Sequence, residues 1–569
     1  MPIFMTTQSR MATTLYATDQ AKRTRRVLSA RADSWAILLV LSILTFVCYE
    51  GLSRESFGWY DESRHMMNAV FFADFYSDLP LRNVYQYTIE YFIRFPSLSL
   101  SWHPPMFPAL AGAVLLVGGL DPVLVRMLVF MFALAGAIFW YFWVLSIWGR
   151  RTALLSTLIL ITGTAVHFWS TAIMLEIPIV ALISGALYWL ARYLERPSLR
   201  GSFIVGLLVA AMLLTKQTSL FILPAFLLYC ILAGRARLLW SRVSLPIYLL
   251  FFSALAILIG HALALGSVGI AEQLGNLSEL AGAPTRFSIE RWLIYGRVLG
   301  ESFGWPILLL ALIGSIEMAR RRGSADLTIL VWPALWYVAF SITAVDHGDA
   351  LRYTAYVAPP IALLAACSLG TLSNANAQIR HAAVLGLLGI VAWSGWRSYA
   401  TELPMVSGFR APAQFVHTEA GDLPVLYCCR FDGEFIFERR RLDPPRHSIT
   451  LRADKNLVNF SITPAYGMAS FVESRSDILD QLDRDGVAVL VIESQDNLRI
   501  SQFNVLREVV NGPEFDLLAE FPITGNFAAL PPELKLRVYR YRNAHTPENG
   551  IISVPAPQIG TTLQLRVSP

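Results

Sequence analysis

Two adjacent carboxylates, Asp61 and Glu62, stand in "FGWYDESRHMMNAV" (57–70), a short way beyond a long apolar run. Other ionisable side chains in the apolar part of the chain gather at a few places. Arg64 and His65 follow the pair, His103 lies in "WHPPMFPAL", and Arg126 lies in "VLVRMLVF". Glu176 sits in "MLEIP", Lys216 in "LLTKQT", and Asp346, His347, Asp349 and Arg352 in "AVDHGDALRY". An ionised carboxylate within reach of a hydroxyl or amine can act as a general base. A lysine ammonium is a point charge suited to phosphate, and an arginine binds phosphate oxygens two at a time. Carboxylates in one early segment and cations from three later ones suit a reaction with an anionic phosphate leaving group. The acceptor of such a reaction must lose a proton.

Each residue also has a plainer reading. Asp61 is a good N-cap for a helix beginning beside it. Glu176 can be a helix-terminus charge, and Lys216 can snorkel to a membrane interface from "LLVAAMLLTKQTSLFILPAF". His103 and His347 are solitary in sequence, so a divalent metal is possible but no ligand set is defined. The cysteines are Cys48, Cys230, Cys367, Cys428 and Cys429, with no metal-type spacing. They read as small buried hydrophobes.

The elements that must position these groups are membrane helices. The chain has 569 residues, of which 55% are hydrophobic and only 15% charged. A soluble protein would carry nearer 25% charge. A net charge of +5 without a basic run interleaved with aromatics gives no sign of nucleic-acid binding. A crossing helix needs about 20 apolar residues. Candidate spans are 34–52, 122–148, 153–173, 177–193, 202–216, 218–234, 245–266, 301–318, 327–345, 353–372 and 381–397. The run 104–118 is apolar but short. If it does not cross, the basic clusters "GRR" (149–151), "ERPSLR" (195–200), "GRARLLWSR" (234–242), "ARRRG" (319–323) and "QIRH" (378–381) share the side of the basic N-terminus. That arrangement obeys the positive-inside rule, so 104–118 is expected to be a juxtamembrane or re-entrant helix. Asp61, Glu62, His103, Arg126, Glu176, Lys216 and Arg352 then all face the outer side.

From about residue 398 charges become frequent and long apolar runs stop. "LPVLYCC" (423–429), "EFIFERRR" (434–441), "HSITLRA" (447–453) and "VAVLVIES" (487–494) read as strands. "SRSDILDQLDRDG" (474–486) reads as a helix ending at Gly486. The expected architecture is a polytopic all-α membrane domain with about eleven spans and juxtamembrane helices, followed by a small α/β domain. Its parts are a cytoplasmic basic N-terminus (1–33), the transmembrane domain (34–397, with a first outer loop at 53–121) and an extracytoplasmic domain (398–569).

The order of motifs resembles the GT-C superfamily of polyprenyl-phosphate-sugar-dependent glycosyltransferases. It is most similar in style to the protein O-mannosyltransferases and the lipid A aminoarabinose transferases. The motifs are "YDESRHMMNAV", "HPPMFPAL", "VLVRMLVFMFALAG", "MLEIPIVALISGALYW", "LLTKQTSLFILPAFLL" and "RYTAYVAPPIALLAA", spread over roughly residues 34–372. The resemblance implies a catalytic Asp in the first outer loop, here Asp61. It places Arg126 and Lys216 at donor-phosphate positions, adds Arg352 more weakly, and leaves Glu62, His103 and Glu176 as further substrate contacts. Glu176 stands where many relatives have Asp. The resemblance implies transfer of one sugar, with inversion, from a polyprenyl-phosphate donor to a cell-envelope glycan, lipid or protein acceptor. A bacterial inner membrane is the expected location. The sequence requires no cofactor and leaves the metal unknown. The competing reading is a transporter or flippase of a lipid-linked sugar, but no internal repeat is evident, against the usual transporter architecture.

Overall fold

A computed structural model describes residues 32–58, 60–100, 102–265, 285, 287–343, 351–369, 376–428, 430–460, 468–495, 500–526, 530–531, 533–547, 550–556 and 561–567. The N-terminal basic cluster up to Arg31, most of the loop 267–300, Asp346, His347, Asp349 and Cys429 lie outside the described residues.

The first part is helical. Helix α1 (Ala32–Leu52) is followed by three helices, α2 (Tyr60–Asp78), α3 (Val84–Arg94) and α4 (Met106–Gly118). The bundle resumes with α5 (Pro122–Trp148), α6 (Arg150–Thr162), α7 (Thr164–Ser170), α8 (Glu176–Glu195), α9 (Leu199–Thr215), α10 (Leu223–Leu232) and α11 (Leu245–Leu265). It closes with α12 (Ile289–Phe303), α13 (Trp305–Arg321), α14 (Ser324–Thr343), α15 (Ala358–Cys367) and α16 (Ala377–Ala400). Among the described residues six helices are long and apolar enough to cross a membrane, or up to eight counting two bent pairs. Shorter apolar helices occupy Leu199–Thr215, Gln217–Leu232 and Leu351–Cys367, so each of the expected spans coincides with an apolar helix. The chain is a multi-pass membrane protein.

Local sequence explains the main breaks. Asp121 caps α5 by accepting the Val123 amide at 2.9 Å, with Pro122 at the first helical position. The α12–α13 pair bends by 108° at Gly304, whose φ of 76° is one that glycine adopts without strain. Gly136 lets α5 approach α8, since a Cβ there would lie 2.9 Å from the Cα of Ala181.

The run 104–118 forms α4, only 13 residues long. Its first residue lies against the end of α9, where the Thr215 hydroxyl donates to the Met106 sulfur at 3.6 Å. Its last residue leads within a few positions into the start of α5. Both of its ends therefore lie at one end of the bundle, and α4 lies along it beneath α2. Asn68 on α2 donates to Ser99 at 2.8 Å, and Tyr76 donates to the Ala109 carbonyl at 3.0 Å.

Strands begin at β1 (Val406–Ser407). Helix α17 (Arg410–Ala420) leads to β2 (Val425–Cys428), α18 (Asp432–Leu442), β3 (Thr450–Arg452), the short α19 (Ala453–Asn456), β4 (Val458–Phe460) and β5 (Met468–Ser470). Then follow α20 (Arg475–Asp485), β6 (Val489–Glu493), α21 (Ser501–Val509), β7 (Phe515–Pro522), β8 (Thr524–Gly525), β9 (Lys535–Tyr541), β10 (Ile551–Ala556) and β11 (Thr561–Arg566). The central sheet has the order β3-β2-β6-β9-β7, parallel across β3-β2-β6 and antiparallel beyond. Val425 pairs with Val489 and Leu426 with Leu490. Alternation sends Val425 and Tyr427 into the core under α17, and Leu426 and Cys428 into the core with α20 and α21.

Two readings of this region meet different outcomes. The helix at 474–486 forms as expected, with a Ser474–Asp477 capping box and a left-handed Gly486. The segment 434–441, expected as a strand, is instead helix α18. Its apolar residues are consecutive rather than alternating. Asp432 and Glu434 in the first turn and Arg439, Arg440 and Arg441 in the last complement the helix dipole.

Candidate active site

The site lies at the end of the bundle that carries α2. Asp61 enters from the first turn of α2, Glu176 from the first turn of α8, and Lys216 caps the end of α9. Arg352 precedes the short helix Thr354–Val357. The Lys216 ammonium donates to Glu176 Oε1 at 2.7 Å, both side chains being buried. Arg352 Nη1 donates to Asp61 Oδ2 at 2.6 Å, and its Nε lies 3.5 Å from Glu176 Oε1. Tyr353 backs the two cations, 5.0 Å from the Lys216 nitrogen and 5.1 Å from the Arg352 guanidinium carbon, measured to the ring centre.

Asp61 is the open member, with 38% of its side chain exposed while Glu176 is fully buried. Burial pushes the Asp61 carboxyl up, but Arg352, with His65, His103 and Arg64, outweighs it and holds the group well below the usual carboxylate range. Asp61 is therefore ionised at neutral pH.

His65 stands one turn beyond Asp61 on the same face of α2. Its ring is 5.0 Å from that of His103, which arrives with the segment preceding α4. Burial lowers His65 to about 4, and burial together with His65 and Lys216 lowers His103 well below its ordinary value. Both imidazoles are neutral near pH 7, and among the described residues the buried Nδ1 of each has no hydrogen-bond partner. Among the described residues no group of three or more His, Cys, Asp or Glu side chains has the geometry of a metal site.

Glu62 and Arg126 lie elsewhere. Glu62 is 1% exposed and accepts the Gly58 amide at 2.6 Å, the Ile173 amide at 2.8 Å and Arg126 Nη2 at 3.1 Å. Arg126 is fully buried and also donates to the carbonyls of Arg54 and Ser56. This pair ties the segment before α2 to α5 and to the approach to α8.

Thus Asp61, His103, Glu176, Lys216 and Arg352 come together, while Glu62 and Arg126 form an adjoining brace. Sequence reasoning did not single out three neighbours as site residues. His65 could have been found from its i+4 spacing to Asp61. Gln217, which donates to the Trp102 carbonyl at 3.1 Å, adjoins Lys216. Asp432, 3.2 Å from Arg64, lies 368 positions away and carries no local signal.

The sequence profile of the family described as dolichyl-phosphate-mannose-protein mannosyltransferase matches residues 102–263. That stretch begins at the Trp102–His103 pair and ends within α11. The structure of ArnT from Cupriavidus metallidurans bound to undecaprenyl phosphate is similar, with a TM-score of 0.59 at 12% identity. The match covers 88% of this chain and 100% of that one. The apo form of the same protein gives 0.57 at 13% identity, over 88% and 99% of the two chains. An Archaeoglobus fulgidus oligosaccharyltransferase tethered to an acceptor peptide gives 0.53 at 10% identity, over 80% of this chain and 68% of that one. No curated protein matches the chain significantly by sequence. The resemblance to the GT-C glycosyltransferases is borne out by profile and fold, and the chain has the GT-C membrane fold with a sheet-containing C-terminal region.

Proposed function

We propose that the protein is a membrane glycosyltransferase that moves one sugar from a polyprenyl phosphate to a cell-envelope glycan, lipid or protein at the outer face of the membrane. The observation that carries this reading is Asp61: an ionised, partly open carboxylate 2.6 Å from Arg352 and beside the buried Lys216–Glu176 pair. The profile match and the GT-C fold support the same class.

In the proposed step the acceptor oxygen attacks the anomeric carbon and the bond from that carbon to the phosphate oxygen breaks, with inversion. The acceptor proton passes to Asp61, and the leaving polyprenyl phosphate keeps the electron pair. Arg352 and Lys216 stabilise the charge that grows on that phosphate, the kind of preorganised contribution that is often largest in catalysis. In the substrate-free arrangement both cations are neutralised by carboxylates. The donor phosphate is expected to share Arg352 with Asp61. Glu176 keeps Lys216 in place, and neutral His65 and His103 offer hydrogen bonds to sugar or acceptor hydroxyls. Glu62 and Arg126 hold the backbone that carries Asp61 rather than touching substrate.

The test uses full-length protein in lipid nanodiscs with undecaprenyl-phosphate sugars as donors. Asp61→Asn should lower transfer by about 10²–10⁴-fold, the usual worth of a positioned base. Transfer at the wild-type rate removes Asp61 from the mechanism.

A further inference from the structure

The C-terminal domain touches the chain on both sides of Asp61. Before it, the Val406 amide donates to the Phe57 carbonyl at 2.9 Å. A Cβ on Gly58 would collide with the Pro404 carbonyl oxygen, and Arg54 donates to that same oxygen at 2.7 Å. After it, Gly433 of α18 leaves no room for a Cβ against the Ser63 hydroxyl, and Asp432 pairs with Arg64 at 3.2 Å. Arg452 ties Asp432 at 2.9 Å and donates to the Pro96 carbonyl at 2.9 Å.

The far end of α2 is held as well, about 20 Å from Asp61 at 1.5 Å per residue. Asp74 accepts Arg440 Nε at 2.9 Å and Nη2 at 2.5 Å, and Tyr91 at 2.7 Å. Asp78 accepts Arg446 Nη2 at 2.7 Å. Asp74, Asp432, Arg440 and Arg452 are all buried, so these are enclosed contacts rather than surface pairs. Helix α2 thus lies between α4 on one side and α18 on the other, gripped by charge at both ends.

We infer that the C-terminal domain positions the base: Asp432 and Gly433 next to Asp61, and Arg440 at the far end, fix α2 so that Asp61 meets Arg352. These are positioning residues, which act through Arg64, Ser63 and Asp74. The inference rests on the reading of Asp61 as base.

Two full-length variants in nanodiscs test it. Gly433→Leu drives its Cβ into Ser63 and Ser97, the nearest neighbours and both outside the C-terminal domain, so it strikes the docking contact first. Arg440→Met removes the two-pronged Arg440–Asp74 pair and leaves Asp74 with Tyr91 and, at 3.7 Å, Arg446. Hydrogen–deuterium exchange should show residues 60–70 opening about tenfold or more while 410–541 stays protected, and Arg440→Lys should restore most of the protection. With an undecaprenyl-phosphate sugar, kcat should fall up to about 100-fold, the scale of a 1 Å misplacement, with donor KM little changed. The acid limb of kcat should move to higher pH as Asp61 parts from Arg352, with His65, His103, Arg64 and the adjoining Lys216–Glu176 pair as its other charged or titratable neighbours. Arg542→Met, which breaks an exposed pair with Asp516, should change none of these. If Gly433→Leu opens 410–541 itself, Arg440→Met decides. Unchanged α2 protection, or unchanged kcat in the folded variants, overturns the inference. Loss of kcat in Asp61→Asn beside unchanged kcat in both docking variants rejects positioning alone. Activity retained in Asp61→Asn rejects the base assignment instead.

Discussion

Glu62 offers the sharpest division between binding substrate and bracing the site. In Glu62→Gln the retained amide oxygen can still accept the Ile173 amide and Arg126, which share Glu62 Oε1. The new NH₂ group then faces the Gly58 amide, which loses its acceptor at 2.6 Å. One buried N–H left without a partner costs about 1–3 kcal/mol. Arg126 is also left as a fully buried cation without its counter-charge, and breaking such a pair from one side costs about 3–5 kcal/mol in all. That is a large share of a typical folding stability of about 5–15 kcal/mol. Removing Arg126 as well should recover part of the loss, with a coupling of about 1–3 kcal/mol in a double-mutant cycle with Arg126→Met. The assay is thermal unfolding in detergent, paired with undecaprenyl-phosphate binding measured well below the melting point. The expected result is a much lower melting temperature with donor affinity within twofold of wild type. The pH dependence adds a check. Burial raises the Glu62 carboxyl, but Arg126, Arg54 and the Gly58 and Ile173 amides outweigh it and lower the value. A depressed carboxylate gives stability that is present above its unfolded value near 4.3 and fades as pH falls through the folded value. Glu62→Gln should therefore flatten the acid side of the stability profile. Wild-type melting together with a tenfold loss of donor affinity would refute the bracing role and return Glu62 to the substrate site.

Other outcomes follow from the same geometry. Lys216→Met should weaken undecaprenyl-phosphate binding by about 10–100-fold, the worth of one charge-assisted hydrogen bond of about 1.5–3 kcal/mol; equal binding by titration would remove Lys216 as a phosphate contact. Arg352→Gln takes away the main group that lowers Asp61, so the acid limb of the transfer rate should move to higher pH; an unmoved limb separates Arg352 from the base. Glu434, buried in α18 near Asp432, Arg64 and Glu62, is pushed up to about 8 chiefly by burial. The native state then holds a proton that the unfolded chain has lost between about pH 4.3 and 8, so this group's contribution falls as pH rises through that window. Glu434→Gln should make the protein relatively more stable at pH 8 than at pH 5.5 when wild type and variant melts are compared; an unchanged difference rejects the buried neutral acid.

The membrane domain was legible in the sequence because a crossing helix must satisfy its own backbone in lipid, which forces long apolar runs. Charge parity made 104–118 a juxtamembrane or re-entrant helix, and the segment forms the 13-residue helix α4. The ionisable groups Asp61, Glu176, Lys216 and Arg352 stood out for the same reason, as costly interruptions of apolar sequence. The sequence also marked Glu62 and Arg126 as candidates but could not tell a brace from a binding contact. That depends on whether a side chain finds its partner inside the protein, and Arg126 finds the Arg54 and Ser56 carbonyls and Glu62 there. Period-based reading failed at α18, where three consecutive buried apolar residues, Phe435, Ile436 and Phe437, fit a strand or a helix equally well until the flanking charges are weighed. Beyond local reach, composition alone carries no pairing information. Only the tertiary structure could bring Asp432 to Arg64 and Arg440 to Asp74 across more than 360 residues, because those contacts arise from how two separately patterned domains dock.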